Sequence, residues 1–113
     1  MGFNFRIHYD LDMSENKDYF EELIQTTEGT ELSQMFGKAC GKIGKKAFVA
    51  FYKEDMVFKL GRDNIPTLLE KYEGTKNWDP SGKGRAMKDW LQVPNKFKND
   101  WADLFDQALE FNS

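Results

Sequence analysis

The residues best suited to chemistry in this chain are its basic ones. Lys38, Lys42, Lys45, Lys46 and Lys53 follow one another with no acidic residue between them, so 38–53 carries +5. Lys83, Arg85 and Lys88 form a second basic group in the neighbourhood of Trp78 and Trp90. Ammonium and guanidinium groups contact phosphate, and an indole stacks on a base. Lys38, Lys42, Lys45, Lys46, Lys83, Arg85 and Lys88 are therefore the candidate contacts for nucleic acid or another anion. The segment 9–31, by contrast, holds eight acids and one lysine, so the molecule is expected to be electrically polarised. Lysines at hairpin turns more commonly guard strand edges against aggregation, and that is the preferred reading. The overall charge of −3 argues against a generally basic nucleic-acid protein.

Other residue types offer less. Asp10, Asp12, Ser14, Asn16, Asp18 and Glu21 match the ligand positions of a calcium-binding loop, but Glu15 stands where the sharp turn needs glycine and Lys17 where an apolar anchor belongs. An acidic helix start explains them better. Cys40 lies two residues from both Lys38 and Lys42, which on a strand would share its face and lower the thiol pKa. No histidine base is near in sequence, and a lone cysteine among apolar strand residues ordinarily just packs. His8 is the only histidine and has no second soft ligand for zinc. Gly37, Gly41 and Gly44 lack the spacing and the strand-to-helix setting of a phosphate loop. No catalytic residue, metal or cofactor is expected.

The elements that carry these residues read as follows. Phe3, Phe5, Ile7, Tyr9 and Leu11 alternate with polar residues, which gives an extended leader or an extra strand over 1–13. A helix is expected over 14–27, capped by Asp12 with Glu15 and burying Phe20, Leu23, Ile24 and Thr27. The stretch 35–60 packs three short apolar runs between turn signals at Gly44–Lys45 and at 53–55, the pattern of an antiparallel meander. In its middle strand Ala47, Val49 and Phe51 are expected on one face and Phe48, Ala50 and Tyr52 on the other. Met56, Phe58 and Leu60 share a face of the third. A short helix begins at Pro66, capped by Asp63 or Asn64, with Ile65, Leu68, Leu69 and Tyr72 as its stripe. A loop holding Trp78 leads to a strand over 86–93, with Met87, Leu91 and Val93 on one side. A final helix from about Asn95 to Phe111 buries Phe97, Trp101, Leu104, Phe105, Ala108 and Leu109.

These motifs resemble the N-terminal domain of the TfoX (Sxy) competence-regulator family. The likeness rests on Met35-Phe36-Gly37, on Gly44-Lys45-Lys46-Ala47-Phe48, on Val57-Phe58-Lys59-Leu60 and on the run from Pro80 to Pro94, and covers about 23–111. It departs from the family at Lys38-Ala39-Cys40. The resemblance implies a two-layer α+β domain, and it supplies no catalytic motif. The implied order is α-β-β-β-α-β-β-α, an antiparallel sheet made of a three-stranded meander plus two further strands and packed against helices, and the residues themselves give the same α+β class.

At 113 residues the chain fits one domain, 1–113, able to bury a core without staples. One cysteine permits no intrachain disulfide, which suits a reducing cytoplasm. The start lacks a secretory pattern, and Arg6 stands where a myristoylation signal wants Ser or Thr. The expected function is a regulatory or protein-interaction domain. It would bind a protein partner or pair with a second copy through the open sheet face or a strand edge, with no membrane involvement.

Overall fold

The computed structural model describes residues 14–113, so the expectations for 1–13 lie outside the described residues. Within them the helix α1 spans Glu15–Gln25. The strands β1 (Thr30–Met35), β2 (Lys38–Ile43), β3 (Lys46–Tyr52) and β4 (Asp55–Lys59) follow as a four-stranded meander. Then come α2 (Pro66–Lys71), β5 (Lys76–Trp78), β6 (Met87–Val93), a 3₁₀ segment (Asn95–Asp100) and α3 (Trp101–Asn112). The strands form one antiparallel sheet in the order β1-β2-β3-β4-β6-β5. The α+β class holds. The meander has one strand more than the sequence pattern suggests: β1 lies ahead of the stretch 35–60, and Phe36 and Gly37 form the two-residue turn that joins it to β2.

Three two-residue turns set the register of the meander. Phe36 and Gly37, at φ 56° and 73°, join β1 to β2; Gly44, at φ 60°, opens the next; Lys53 and Glu54, at φ 50° and 68°, form the third. Two positive φ angles in succession match the twist of paired strands. Phe, Lys and Glu adopt that backbone only against steric cost.

The helices cover one face. Phe20 and Ile24 of α1, and Trp101, Leu104, Phe105 and Ala108 of α3, are buried with Phe48, Val49, Met56, Phe58, Leu60, Leu91 and Val93 of the sheet. Ser14 caps α1, its Oγ accepting from the Lys17 amide at 2.8 Å; the cap is Ser14 rather than Asp12. Gly41 lets α1 approach: a Cβ there would stand 2.7 Å from Ile24 Cδ1. Asn64 does not cap α2; its side chain donates to the Leu60 carbonyl, and Leu69 lies exposed. The last helix starts later than its periodicity suggests. A kink at Phe97 leaves 95–100 as 3₁₀ turns, with the Phe97 ring edge-on to Tyr72 at 5.0 Å. Asn112 ties its far end to β4 through the Lys59 carbonyl at 3.0 Å.

Two irregularities redistribute side chains between the faces. Opposite Gly41 and Lys42, strand β3 carries an extra residue, Phe48. A bulge puts consecutive residues on the same side, so Phe48, Val49 and Phe51 enter the helix-side core, while Ala47, Ala50 and Tyr52 belong to the other face. This corrects the strict alternation expected for that strand. The second break lies between Asn77 and Trp78. It leaves the carbonyls of Met87, Lys88 and Trp90 to the Asn77 side-chain amide. Met87 consequently packs on the second face, while Leu91 and Val93 stay with the helices.

Candidate functional site

The face away from the helices carries its own small core of Cys40, Ala50, Val57, Trp78 and Trp90, with Met35, Ala47, Tyr52 and Met87 against it. Trp78 is its hub. Although β5 lies at the sheet edge, the register break sends this ring inward, to 5.3 Å from Trp90, 5.9 Å from Tyr52 and 6.3 Å from Phe36. Trp78, expected in a loop, thus ends a strand and is fully buried.

The segment 79–86 lies over this core and is organised by one carboxylate. Asp79 accepts hydrogen bonds from Ser81 N and Oγ at 3.1 and 2.6 Å, and from the amides of Gly82, Gly84 and Arg85 at 3.1, 2.7 and 3.0 Å. These donors, the Ser81 hydroxyl foremost, hold its pKa down to about 2. Gly82 and Gly84, at φ 70° and 82°, give the backbone the left-handed bends that let so many amides converge. Further along, Arg62 clamps Asp89, with its amide and Nε both donating to Oδ1 at 3.0 and 3.2 Å, and keeps that carboxyl below its ordinary range.

Two depressions flank the loop. One is an apolar groove of about 330 Å³ lined by Phe36, Pro80, Ser81, Arg85 and Met87. Phe36 forms its rim and is 61 % exposed, the most exposed large apolar side chain among the described residues. The other is a cavity of mixed character, about 370 Å³, lined by Tyr52, Lys53, Lys76, Asn77, Asp79, Gly82, Ala86 and Gln92. The Lys53 ammonium stands 5.3 Å from the Tyr52 ring and that of Lys38 5.6 Å. Gln92 is 6 % exposed. Its Nε2 donates to Asp55 Oδ2 at 3.0 Å, and its Oε1 has no partner among the described residues.

The predicted basic residues are divided by the fold. Lys38 and Lys42 share the second face with Cys40, since Ser33 and Cys40 are cross-strand partners and Ala39, Gly41 and Ile43 turn to the helices. Lys45 and Lys46 lie past the far end of β2, ~17 Å from Lys38 along the strand but near Lys42, whose cross-strand partner is Ala47, and Lys46 pairs with the helix-facing Ile43. Lys83 and Arg85 belong to the loop over the second face, and Lys88 is exposed at the break in β6. The seven do not converge on one point. Cys40 is fully buried, and burial pushes its thiol pKa up against the smaller opposing effects of Lys42 and Ser33; at neutral pH it is a packed thiol. The apparent calcium loop is a continuous helix from Glu15, and Asn16 bonds to Glu54 and Lys98 instead. Among the described residues no three His, Cys, Asp or Glu side chains gather as a metal site. No described helix is long and apolar enough to cross a membrane.

Phe36, Tyr52, Lys76 and Gln92 are not among the contact residues expected from the sequence. The only hint at Phe36 is its place before Gly37, where a turn of this kind prefers Asn or Asp. No family model, curated protein or solved structure matches the chain.

Proposed function

We propose that this chain is a non-catalytic protein-interaction domain of the TfoX N-terminal type, whose contact surface is the groove rimmed by Phe36. One observation carries the reading: a bulky aromatic is held in left-handed backbone at a turn and displayed to solvent. Glycine or asparagine would serve the turn better, and strain kept at an exposed site points to use of the side chain. The groove offers apolar walls from Phe36, Pro80 and Met87 beside the Arg85 guanidinium. That chemistry fits an extended segment with an apolar side chain next to a carboxylate.

A random peptide library panned over the immobilised protein tests this. Enriched sequences are expected to pair an aromatic or leucine with Asp or Glu. Phe36→Ser should abolish their binding and Arg85→Glu weaken it, while Lys45→Glu, at the distant turn, leaves it intact. No enrichment, or binders indifferent to Phe36→Ser, overturns the proposal. Self-pairing through the same groove would appear as a dimer in light scattering, lost in Phe36→Ser. The anion-binding alternative has weaker support, because its lysines and arginine are spread over both faces and two ends of the sheet.

A further inference from the structure

We infer that the groove rimmed by Phe36 takes this chain's own segment 1–13 as an occupant, with Tyr9 in the groove and Asp10 on the Arg85 guanidinium, in competition with any outside partner. This rests on the reading of the groove as a peptide site and names a ligand for it. The path is short. Asn16 donates to Glu54 Oε1 at 3.2 Å, so residue 14, where the described chain begins, stands beside the turn between β3 and β4. The turn of Phe36 and Gly37 lies at the same end of the sheet: Met35 pairs with Lys38, Cys40 lies opposite Ala50, and the Lys38 ammonium stands 5.6 Å from the Tyr52 ring. Two strand spacings, with the passage from the helix layer to the second face, make ~15–20 Å. An extended chain covers that in five or six residues, at about 3.3 Å each, which brings residues 8–9 to the groove.

The side chains carried there suit it. Phe36, Pro80 and Met87 give the groove apolar walls beside Arg85. Tyr9-Asp10 offers an apolar ring followed at once by a carboxylate, and Leu11-Asp12 repeats the pair. Of the two arginines among the described residues, Arg62 is held by Asp89, whereas Arg85 forms no ion pair among those residues. A carboxylate leaving α1 towards this end of the sheet therefore has one free guanidinium to meet. Lys38 is on the same face and Lys83 in the same loop, while 9–12 carries −2, so the charges are complementary. Tethering helps as well: a short linker gives an effective concentration in the millimolar range, so a contact too weak to matter between separate molecules still competes within one.

A nitroxide on His8→Cys, in the full chain with Cys40→Ala, tests this by amide line broadening. The amides of Gly37, Ser81, Arg85 and Met87 should broaden, and those of Lys45 and Lys46, at the far turn, should not. Phe36→Ser should remove the broadening, and Arg85→Glu should reduce it. Isotope-labelled chain without the nitroxide, mixed with spin-labelled chain, should stay sharp; broadening there would put the segment on another copy and overturn the inference. A peptide enriched from the library should bind Tyr9→Ser/Asp10→Asn about 5-fold more tightly than the unaltered chain. If peptides bind through Phe36 with the same affinity in both, and no groove amide broadens, the inference fails while the peptide site stands. If no peptide binds either chain, the peptide site fails, and broadening at the groove still decides whether the segment docks there.

Discussion

Replacing Phe36 by asparagine separates a displayed residue from a structural one. Left-handed backbone costs a non-glycine residue ~1–2 kcal/mol, and Asn-Gly is a preferred pair for a turn with two positive φ angles. Asparagine at 36 should recover much of that cost. Against this stands the lost burial. A fully buried Phe is worth about 1.5–3 kcal/mol, but this ring is 61 % exposed. Roughly 0.6–1.2 kcal/mol is forfeited on that scale, with ~0.5 kcal/mol more for the contact with Trp78. The two sides nearly cancel, so stability should change by no more than about 1 kcal/mol, or a Tm shift within about 5 °C. Peptide binding, in contrast, should fall by about 30-fold or more, as for a central aromatic anchor. Urea unfolding gives the stability, with an unchanged m-value showing that the native surface is kept. A loss above ~2 kcal/mol would mean that Phe36 is retained to pack Trp78, and the reasoning from strain to display would collapse.

Other outcomes follow from the same geometry. Gly41→Ala forces a methyl to within 2.7–2.9 Å of Ile24 and Val49, and should destabilise by ~1–3 kcal/mol in urea unfolding. Phe105→Ala empties the site against Phe48, 5.2 Å away, and should cost ~3–5 kcal/mol. Asp79 has a folded pKa depressed to about 2 from the ordinary 3.8. The order it gives the 79–86 loop is therefore fully present above pH ~4 and lost as pH falls through about 2. Trp78 fluorescence should report that acid step, and Asp79→Asn should remove it. Cys40 should react with a thiol reagent only at the rate of unfolding; fast labelling of the native protein would contradict its burial.

How much of this was legible follows from what each element's pattern encodes. The last helix was plain because Trp101, Leu104, Phe105 and Ala108 recur at helical spacing and face a sheet, so periodicity and burial agree. Strand β1 was not, because Thr-Glu-Leu-Ser-Gln-Met supplies only Leu32 to the helix-side core, and a polar edge strand leaves little alternation to find. The bulge at Phe48 is a subtler case. Residues 47–52 are apolar on both faces, so shifting the alternation by one leaves the sequence looking the same. Only the partner strand's Gly41, small because α1 presses on it, reveals where the extra residue must go.

The candidate sites were hidden for a different reason: their residues come together through a break in regularity rather than through spacing. Trp78 meets Tyr52 because β5 leaves its register at Asn77 and the chain returns over the second face, while Gln92 and Lys76, paired ahead of that break, line the cavity with Tyr52 and Lys53. Asp79 then fixes that return with five hydrogen bonds. The run from Asp79 to Arg85 reads, in sequence, as a basic glycine-rich loop, and its lysine and arginine draw attention to its outer surface. In the fold its amides are turned inward onto their own carboxylate. The candidate sites therefore lie along the loop's flanks, where Pro80 and Arg85 meet Phe36 on one side and Asp79 and Gly82 meet Gln92 on the other. If Asp79→Asn left both the Phe36 groove and the Gln92 cavity unaltered in amide shifts, this division of labour between the loop and its flanks would be refuted.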